Sequence, residues 1–301
     1  IYDFQRYFYN NITHLMIIMS NPVAYDRVGE RVVLMGNEAI ARGAIEGGIT
    51  LASAYPGTPS SEIGNTFAQV AKETGIHFEW SANEKVALEV AYGASMVGQR
   101  SICSMKHVGV TVALHILNPT RPRGAKRGLA LVSTDDPSQH SSRTEQDNRW
   151  LGRLNNVPVL EPSNPQEAKE LVKYALELSE NVKLPVMLRT VTRLSHMRSD
   201  VALGEIQKLG REPEFDWEGF SYRVAGFQKL FRRHKERHEK IDRVQEEFED
   251  LPFNSLKLSG DESIGVIGVG FAFTYLKDAI DAMGLENDVA WLKLASSYPM
   301  P

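Results

Sequence analysis

The chain has 301 residues, enough for about two domains with separate cores. Hydrophobic residues make up 42% of it and charged residues 24%, the ordinary balance of a soluble globular protein. The net charge of −4 gives no electrostatic reason to expect nucleic acid or an anionic membrane as a partner. No run approaches the roughly 18–20 apolar residues of a membrane-spanning helix.

Cys103 is the only cysteine of the sequence. A disulfide within the chain is therefore impossible, and so is a structural zinc site built from several cysteines. An iron–sulfur cluster normally takes four thiolates, so this chain cannot hold one alone.

The first residues differ from the rest of the chain. Residues 1–18 are rich in aromatic side chains and have neither the basic start nor the small-residue cleavage site of a secretory signal. Met19 followed by Ser20 is a better start of translation. We expect residues 1–22 to be either upstream translation or a disordered arm.

Short apolar runs alternate with helix-periodic segments from about residue 31 to residue 192. The predicted strands are 31–35, 49–54, 78–80, 100–106, 129–133, 157–160 and 185–190. The predicted helices are 37–48, from 60 or 61 to 74, 84–98 and 165–180. Strands separated by helices of about 10–16 residues predict βαβ units, and hence an α/β fold with a doubly wound, mostly parallel sheet.

Residues 201–258 predict a charged helical connector, with its helix over 227–250. His234 and His238 lie four positions apart, as in helical metal sites. The segment is H-K-E-R-H rather than H-E-x-x-H, and no third ligand is apparent. The sequence therefore favours a solvated connector.

A new buried strand is predicted at 263–269, followed by a helix to about residue 283 and a strand at 289–294. This pattern opens a second α/β domain. The roughly 40 residues at 259–301 cannot close a doubly wound domain, so we expect a truncation at the C-terminus.

Two glycine-containing motifs in this region are similar to known ligand-binding motifs but differ from them in detail. Gly265, Gly268 and Gly270 follow a strand, but with the spacing G-x-x-G-x-G instead of G-x-G-x-x-G, so close packing of strand and helix explains them better. The triplet at 260–262, with Asn287 further on, lacks the second glycine of a GDG…N metal motif. No metal site is expected there.

Residues 55–62, Y-P-G-T-P-S-S-E, place two prolines and several hydroxyl groups between a strand and a helix. At the carboxyl end of a strand in an open α/β sheet, such a turn lies where ligands bind. Helix N-terminal amides there favour anionic groups. Capping of the helix by Ser60 or Ser61 is a second explanation, and both can hold together.

Glu84 opens a helix that is otherwise rich in alanine, valine and leucine. An acidic residue in a first turn is favoured by the helix dipole alone. From composition alone, this explanation of Glu84 is the favoured one.

Three longer motifs carry a family resemblance: YPGTPSSEI at 55–63, EWSANEKVALEVAYGAS at 79–95 and MKHVGV at 105–110. Together they resemble the 2-oxoacid:ferredoxin oxidoreductases, and most closely the large (alpha) subunit of the indolepyruvate type. Further segments similar to this family are 135–149, 157–168 and 184–196. The resemblance extends from about residue 32 to residue 301, apart from one gap.

The resemblance implies the oxidative decarboxylation of an aryl 2-oxoacid, with coenzyme A as acyl acceptor and ferredoxin as electron acceptor. Thiamine diphosphate performs the carbon chemistry, and residues 23–200 match its pyrimidine-binding half. Glu84 matches the catalytic glutamate that hydrogen-bonds N1′ of the aminopyrimidine. Pro56 and Thr58 match the loop against cofactor and substrate, with the Thr58 hydroxyl as a donor to the substrate.

Lys106 and His107 stand at the end of their predicted strand. By the same resemblance they are candidate polar groups of the cofactor and substrate pocket. Positions in the core or in an interface are the alternative for both.

The resemblance also implies what lies outside this chain. Mg²⁺, the diphosphate-binding domain and the [4Fe-4S] clusters are expected in a missing C-terminal part, with a beta subunit as a further partner. Residues 259–301 match the start of a transketolase C-terminal-like domain, and the fragment alone is expected to be inactive. Oxygen-sensitive electron transfer and the lack of disulfides predict the cytoplasm.

Residues 114–126 depart from the family pattern, because they are basic and proline-rich where the family has an apolar helical stretch. Genuine divergence and a local reading-frame disturbance both explain such a segment.

Two alternatives to the indolepyruvate type stay open. Substrate choice is weakly encoded in sequence, so the chain could serve pyruvate or a branched-chain 2-oxoacid. A non-catalytic binding module of the same fold is the other alternative.

Overall fold

The computed structural model describes residues 21–117, 124–215, 227–258, 260 and 262–301, and of residues 227–230 the backbone alone. The predicted leader up to residue 20 and the centre of the 114–126 segment, at 118–123, lie outside the described residues. A short 3-10 helix, Pro22–Ala24, opens the described chain and is capped by Asn21.

Strands and α-helices alternate along the described residues. The strands are β1 (Arg31–Met35), β2 (Leu51–Ala54), β3 (His77–Trp80), β4 (Ser101–Lys106), β5 (Leu129–Asp135), β6 (Val159–Leu160), β7 (Val186–Val191), β8 (Arg198–Ala202), β9 (Ser255–Lys257), β10 (Ile264–Val269), β11 (Val289–Leu294) and β12 (Ser296–Tyr298). The helices are α1 (Gly36–Glu46), α2 (Ser61–Thr74), α3 (Glu84–Met96), α4 (His107–Leu117), α5 (Arg149–Asn155), α6 (Pro165–Val182), α7 (Thr192–His196), α8 (Phe227–Glu249) and α9 (Phe271–Met283).

Seven strands form the main sheet, in the spatial order β12-β6-β7-β5-β4-β2-β3. All neighbours run parallel except β12, which pairs antiparallel with β6. The predicted α/β class and the mostly parallel sheet are therefore confirmed. Among the described residues, no helix is both long enough and apolar enough to cross a membrane.

Each central strand divides its side chains between two apolar clusters, one on each face of the sheet. Ile102 and Leu188 belong to the first cluster, together with α1, α2 and α6. Their chain neighbours Cys103 and Met187 belong to the second cluster, together with α3 and α4. Because helices cover both faces, the buried strands form continuous apolar runs in the sequence, which made them recognisable.

Strand β1 lies outside the main sheet, so its prediction as one of the parallel strands is wrong. It pairs antiparallel with β8 in a separate two-stranded sheet. Within β1, Leu34 is buried but Val33 is 63% exposed. The strand therefore lacks the apolar surface on both faces that a parallel strand needs.

The sequence patterns did not predict several elements of the structure, among them α4, α5, α7, β8, β9 and β12. Helix α4 is rich in valine and threonine, whose branched side chains favour strands over isolated helices. Its buried residues Val110 and Ala113 pack in the second cluster beside α3. Tertiary packing thus outweighs local propensity in α4.

The prediction of α8 as a solvated connector is wrong for its C-terminal half. Val244 and Phe248 are fully buried in the first cluster. His234 and His238 in its N-terminal half stay exposed, and within the described ranges no group of three or more His, Cys, Asp or Glu residues could hold a metal ion.

The C-terminal segment forms a three-stranded sheet, β10-β11-β9, and then joins the main sheet through β12. The amide of Glu161 donates to the carbonyl of Ala295 at 2.8 Å, and the Thr274 hydroxyl donates to the carbonyl of Ser163 at 3.0 Å. Residues 259–301 are thus tied to the first α/β unit, while the domain boundaries stay predictions.

Close packing accounts for two of the three glycines in this segment. A Cβ on Gly268 would lie 2.9 Å from Cα of Phe273, and one on Gly270 would lie 2.7 Å from Cβ of Glu161. Gly270 also has a positive φ of 54°. Gly265 has open space around it, so for this residue the packing explanation is wrong.

A buried ionic cluster joins α1 to α6. The Glu46 carboxylate accepts from Arg42 Nε at 2.8 Å, from Lys169 Nζ at 2.8 Å and from the Gly204 amide at 2.5 Å. Burial opposes ionisation, but the hydrogen bonds from Lys169, Arg42 and Gly204 outweigh it and lower the pKa of Glu46. The Glu46 carboxylate is therefore ionised at neutral pH.

Removing this carboxylate deprives the buried Arg42 and Lys169 of the partner that they share, although Lys169 keeps its ion pair with Glu170. We expect Glu46→Ala to lower the free energy of unfolding by about 3–5 kcal/mol, measured by urea denaturation. Glu30 pairs with Arg27 at the surface, so Glu30→Ala should cost less than about 1 kcal/mol. Equal losses in the two variants would contradict the stabilising role of the cluster.

Candidate functional site

The crevice between β2 and β4 lies where the chain changes faces of the sheet. After β2, helix α2 packs in the first apolar cluster, whereas after β4, helix α4 packs in the second. The two connections leave neighbouring parallel strands toward opposite faces, which is the topology that gives open α/β sheets a gap at the carboxyl ends of such strands. Ligands of open α/β sheets bind in such gaps.

The turn after β2 lies directly on β4. A Cβ added to Gly57 would come within 2.9 Å of Cβ of Lys106, so only glycine permits this approach. The Ser60 hydroxyl donates to the Gly57 carbonyl at 2.7 Å, and the Gly57 amide donates to Ser61 Oγ at 2.9 Å. These hydroxyls brace the turn. Ser60 occupies the predicted N-cap position of α2, but its side chain makes no capping hydrogen bond.

Pro56 and Thr58, predicted to contact ligands, are exposed at the top of this turn. Asn37, which the sequence reasoning missed, donates to the carbonyl of Pro59 at 2.7 Å and to Glu62 at 3.0 Å. The turn is thereby fixed from α1 while its tip faces outward.

Glu84 begins α3, and the Asn83 side chain caps that helix by accepting from the Val86 amide at 3.0 Å. The Glu84 side chain is half-buried and lies against α4 at Gly109. A Cβ on Gly109 would come within 2.5 Å of Cγ and 2.8 Å of Oε1 of Glu84. Among the described residues, no group donates a hydrogen bond to its carboxylate.

Cys103 lies within the electrostatic reach of Glu84. Burial raises the pKa of the Cys103 thiol to about 12. A hydrogen bond with Ser53 opposes this increase, and the charge of Glu84 adds to it by a smaller amount. The contact of Glu84 with Gly109, in the first turn of the helix that follows β4, places this side chain near the carboxyl end of that strand.

Lys106 and His107 follow one another but have different surroundings. Lys106 is half-buried, and its Nζ donates to the Ser141 carbonyl at 3.3 Å. His107 is fully buried, and its Nε2 lies 3.1 Å from the Thr144 carbonyl. Since a carbonyl only accepts, Nε2 carries the hydrogen, and Nδ1 is buried without a hydrogen-bond partner among the described residues.

These positions separate the predicted residues into two groups. The structure brings Glu84, Thr58 and Lys106 to the carboxyl ends of neighbouring strands with their polar groups accessible in part. His107 has no exposed surface and faces the loop after β5 instead.

Polar residues of the loop after β5 complete the surroundings of His107, and the sequence reasoning did not single them out. Gln146 Nε2 and Asn148 Nδ2 each donate to the His107 carbonyl at 3.1 Å. Asn148 also donates to the Ser133 hydroxyl at 2.7 Å. The available signal was the run of polar residues directly after a buried strand, which lies at the ligand edge of a parallel sheet.

Arg189 ties three strand ends together at this edge. Its Nε donates to Asp135 at 2.7 Å and its Nη1 to Glu161 at 2.6 Å. Burial lowers the pKa of Arg189, but the charges of Glu161 and Asp135 outweigh it and raise that pKa overall. Arg189 is therefore a fixed cation with both partners in place, and it holds β5, β6 and β7 in register.

The crevice between β2 and β4 lies in the part of the chain that matches a known family. Residues 42–117 match the family described as pyruvate flavodoxin/ferredoxin oxidoreductase, thiamine diphosphate-binding. All five predicted site residues lie within this range.

Relatives of known name match most of the chain. It is 44% identical over 292 residues to indolepyruvate oxidoreductase subunit IorA of Pyrococcus abyssi, covering 95% of this chain and 45% of that protein. It is 47% identical over 276 residues to the subunit of the same name from Methanothermobacter marburgensis, covering 91% of this chain and 44% of that protein. The chain thus spans a little under half the length of these curated relatives.

Solved structures show the same fold. A 2-oxoglutarate:ferredoxin oxidoreductase from Magnetococcus marinus superimposes with a TM-score of 0.74 at 16% identity, over 90% of this chain and 55% of that chain. A split-gene transketolase superimposes with a TM-score of 0.53 at 16% identity, over 87% of this chain and 72% of that chain.

Fold and family match together define an α/β protein in which residues 42–117 match a family described as thiamine diphosphate-binding. The resemblance recognised in the motifs is confirmed, and the chain belongs to the 2-oxoacid:ferredoxin oxidoreductase family.

The contact between Glu84 and Gly109 gives a test of the site geometry. We expect Gly109→Ala to lower the free energy of unfolding by about 1–3 kcal/mol, because the new methyl group displaces the Glu84 side chain. The matched control is Gly93→Ala in α3, where no atom lies within 4 Å of the added Cβ. This control should be neutral or stabilising by up to about 1 kcal/mol.

Combining Gly109→Ala with Glu84→Ala should restore much of the lost stability, because the two side chains no longer compete for space. Denaturant titrations of the single and double variants measure this coupling. Strictly additive effects would show that Glu84 does not lie against Gly109.

The raised pKa of Cys103 predicts an inert thiol. At about pH 8 the buried thiol stays protonated, so we expect no alkylation by iodoacetamide in the folded chain and full alkylation after unfolding. Because the sequence has a single cysteine, mass spectrometry detects this reaction without background. Rapid labelling of the folded protein would contradict the described burial.

Proposed function

We propose that this chain supplies the pyrimidine-binding half of a thiamine diphosphate-dependent oxidoreductase that decarboxylates aryl 2-oxoacids of the indolepyruvate type. The products are an acyl-coenzyme A and reduced ferredoxin. The observation that carries this proposal is the Glu84 carboxylate, held against Gly109 beside the β2–β4 gap with no described donor to satisfy it. We assign the pyrimidine-binding domain to residues 23–200.

The surroundings of Glu84 fit the aminopyrimidine ring. A half-buried carboxylate with unused acceptor atoms can accept a hydrogen bond from a protonated ring nitrogen. Apolar neighbours such as Val110 limit competition by water, since they belong to the second cluster. Glu84 thereby holds a proton between its carboxylate and N1′, the position that general acid–base catalysis requires.

Thiamine diphosphate, when bound, supplies the nucleophilic carbon that attacks the 2-oxo group of the substrate. The remaining work of this chain is to bind and orient the substrate. The Lys106 ammonium is a cation at the mouth of the crevice, suited to the substrate carboxylate. The exposed Thr58 hydroxyl is a donor for the carboxylate or the carbonyl oxygen.

The fully buried His107 has a different role in this proposal. Its ring and its carbonyl bind the loop after β5, so it shapes the crevice and does not touch the substrate. Pro56, exposed at the tip of the turn, offers an apolar surface to the ligand.

The names of the relatives support the aryl substrate class. Six relatives named as indolepyruvate oxidoreductase subunits are 43–47% identical to the chain over 91–95% of its length. A subunit of 2-oxoglutarate synthase from Methanothermobacter thermautotrophicus is 28% identical over 60% of it. The chain is therefore more similar to proteins named for an aryl substrate than to this 2-oxoglutarate relative.

Other components complete the proposed enzyme. Residues 201–258 connect to residues 259–301, which we assign to a transketolase C-terminal-like domain. Mg²⁺, the diphosphate group and the [4Fe-4S] clusters would be held by a separate diphosphate-binding domain, and a beta subunit completes the complex. On this proposal the chain alone shows no turnover, and ferredoxin-coupled chemistry places it in the cytoplasm.

The test is Glu84→Gln in the complete oxidoreductase. The amide keeps the size of the side chain and its packing on Gly109, but it cannot take up the proton. We expect ferredoxin reduction with indolepyruvate to fall by a factor of about 10²–10⁴. Glu89→Gln, in the exposed part of the same helix, is the matched control and should retain activity.

Equal activity of the two variants would contradict the assignment of Glu84 as a catalytic residue. Full activity of the Glu84 variant in folded, cofactor-loaded protein would show that Glu84 has a structural role and not a catalytic one.

A further inference from the structure

The carboxylate of Asp136 is the centre of a hydrogen-bond network at the end of β5. This residue is fully buried. One oxygen accepts from the Ser141 amide at 2.8 Å and from the Ser142 hydroxyl at 2.5 Å. The other accepts from the His140 amide at 3.2 Å and from the Thr192 hydroxyl at 2.6 Å. Asp136 thus joins the loop after β5 to the start of α7.

The anchored part of this loop contacts the crevice. The Ser141 hydroxyl lies 3.3 Å from both the Thr58 carbonyl, 83 residues away in sequence, and the Asp136 carboxylate, so the two acceptors share its one hydrogen. The Ser141 carbonyl accepts from Lys106 Nζ, also at 3.3 Å. A single residue of the loop therefore contacts both the turn after β2 and the end of β4.

The loop adopts this path against a local cost. Ser138 and Gln139 have φ angles of 65° and 54°, the left-handed region that residues other than glycine seldom occupy. Two such residues in sequence persist only where surrounding contacts hold them. The contacts of Asp136 follow within three residues, at 140–142.

We propose that Asp136 is a positioning residue that seats loop 137–147 as a wall of the crevice by placing Ser141 across Thr58 and Lys106. It acts through Ser141 and does not itself touch a ligand. Describing the crevice as the cofactor and substrate site rests on the proposed function. The contacts that seat the loop do not depend on that function.

The ionisation of Asp136 agrees with a permanent anchor. Burial opposes its charge, but hydrogen bonds from Ser142, Thr192 and Ser141 outweigh burial and hold the pKa of that carboxyl well below its ordinary value. Because the folded pKa is lowered, the stabilisation is present above the unfolded pKa of about 3.9 and is lost only in acid. The loop therefore stays seated at neutral pH.

Asp136→Asn in the full chain tests the proposal, because one of the two acceptor oxygens becomes an NH₂ group, which cannot accept from the donors that the lost oxygen held. We expect amide hydrogen exchange in residues 137–147 to accelerate by about tenfold or more, as expected for a loop that opens locally. Competitive acetylation of the Lys106 amine, followed by mass spectrometry, should rise several-fold because its carbonyl partner has moved.

The matched control is Glu180→Gln. Glu180 is also a buried carboxylate with several partners, but it pairs with Arg100 and Arg211 at the opposite edge of the sheet. This variant should leave both the loop exchange and the Lys106 reactivity unchanged. Should Asp136→Asn fail to fold, Ser142→Ala removes a single partner of the carboxylate and should produce smaller changes in the same direction.

Unchanged exchange and unchanged Lys106 reactivity in both Asp136→Asn and Ser142→Ala would overturn the proposal. So would faster loop exchange with an unaltered Lys106, because the loop would then not act on the crevice. Neither measurement uses turnover, so an active Glu84→Gln enzyme would refute the proposed function and leave this result standing.

Discussion

Helices α2 and α4 leave neighbouring strands toward opposite faces of the sheet, and the candidate site depends on this divergence. Each helix is held in its own apolar cluster, so the gap between β2 and β4 is kept open by packing on both faces. Closing it would require one helix to expose its buried side. The energy of the two cores thereby fixes where a ligand can enter.

Polar groups near the gap differ in whether the chain satisfies them. Asp136 and Arg189 are buried with strong partners on several sides, and such saturated groups set the positions of loops and strand ends. The Glu84 carboxylate and the Thr58 hydroxyl have no donor or acceptor among the described residues. A protein that gives such buried groups their partners, but whose site keeps a few accessible polar groups without hydrogen bonds, is suited to binding a polar ligand.

Much of this arrangement could be predicted locally. Strands β4, β5 and β7 are apolar runs because they are covered on both faces, and the helices between them show their period and their ends. Helix α4 could not be found this way, because its valines and threonine favour a strand, and the helix depends on the packing of Val110 and Ala113 beside α3. The apolar stripe of α8 was hidden among charges, although Val244 and Phe248 reach the core.

The sequence by itself determined the fold class, the family and the identity of Glu84 and Thr58 as candidates, because these follow from short-range periodicity and contiguous motifs. Only the tertiary structure decided that Glu84 rests on Gly109, that His107 is enclosed and that Asp136 anchors the wall at Ser141. These contacts join residues far apart in the chain. They depend on how helices and loops pack over a finished sheet, and no local pattern records that packing.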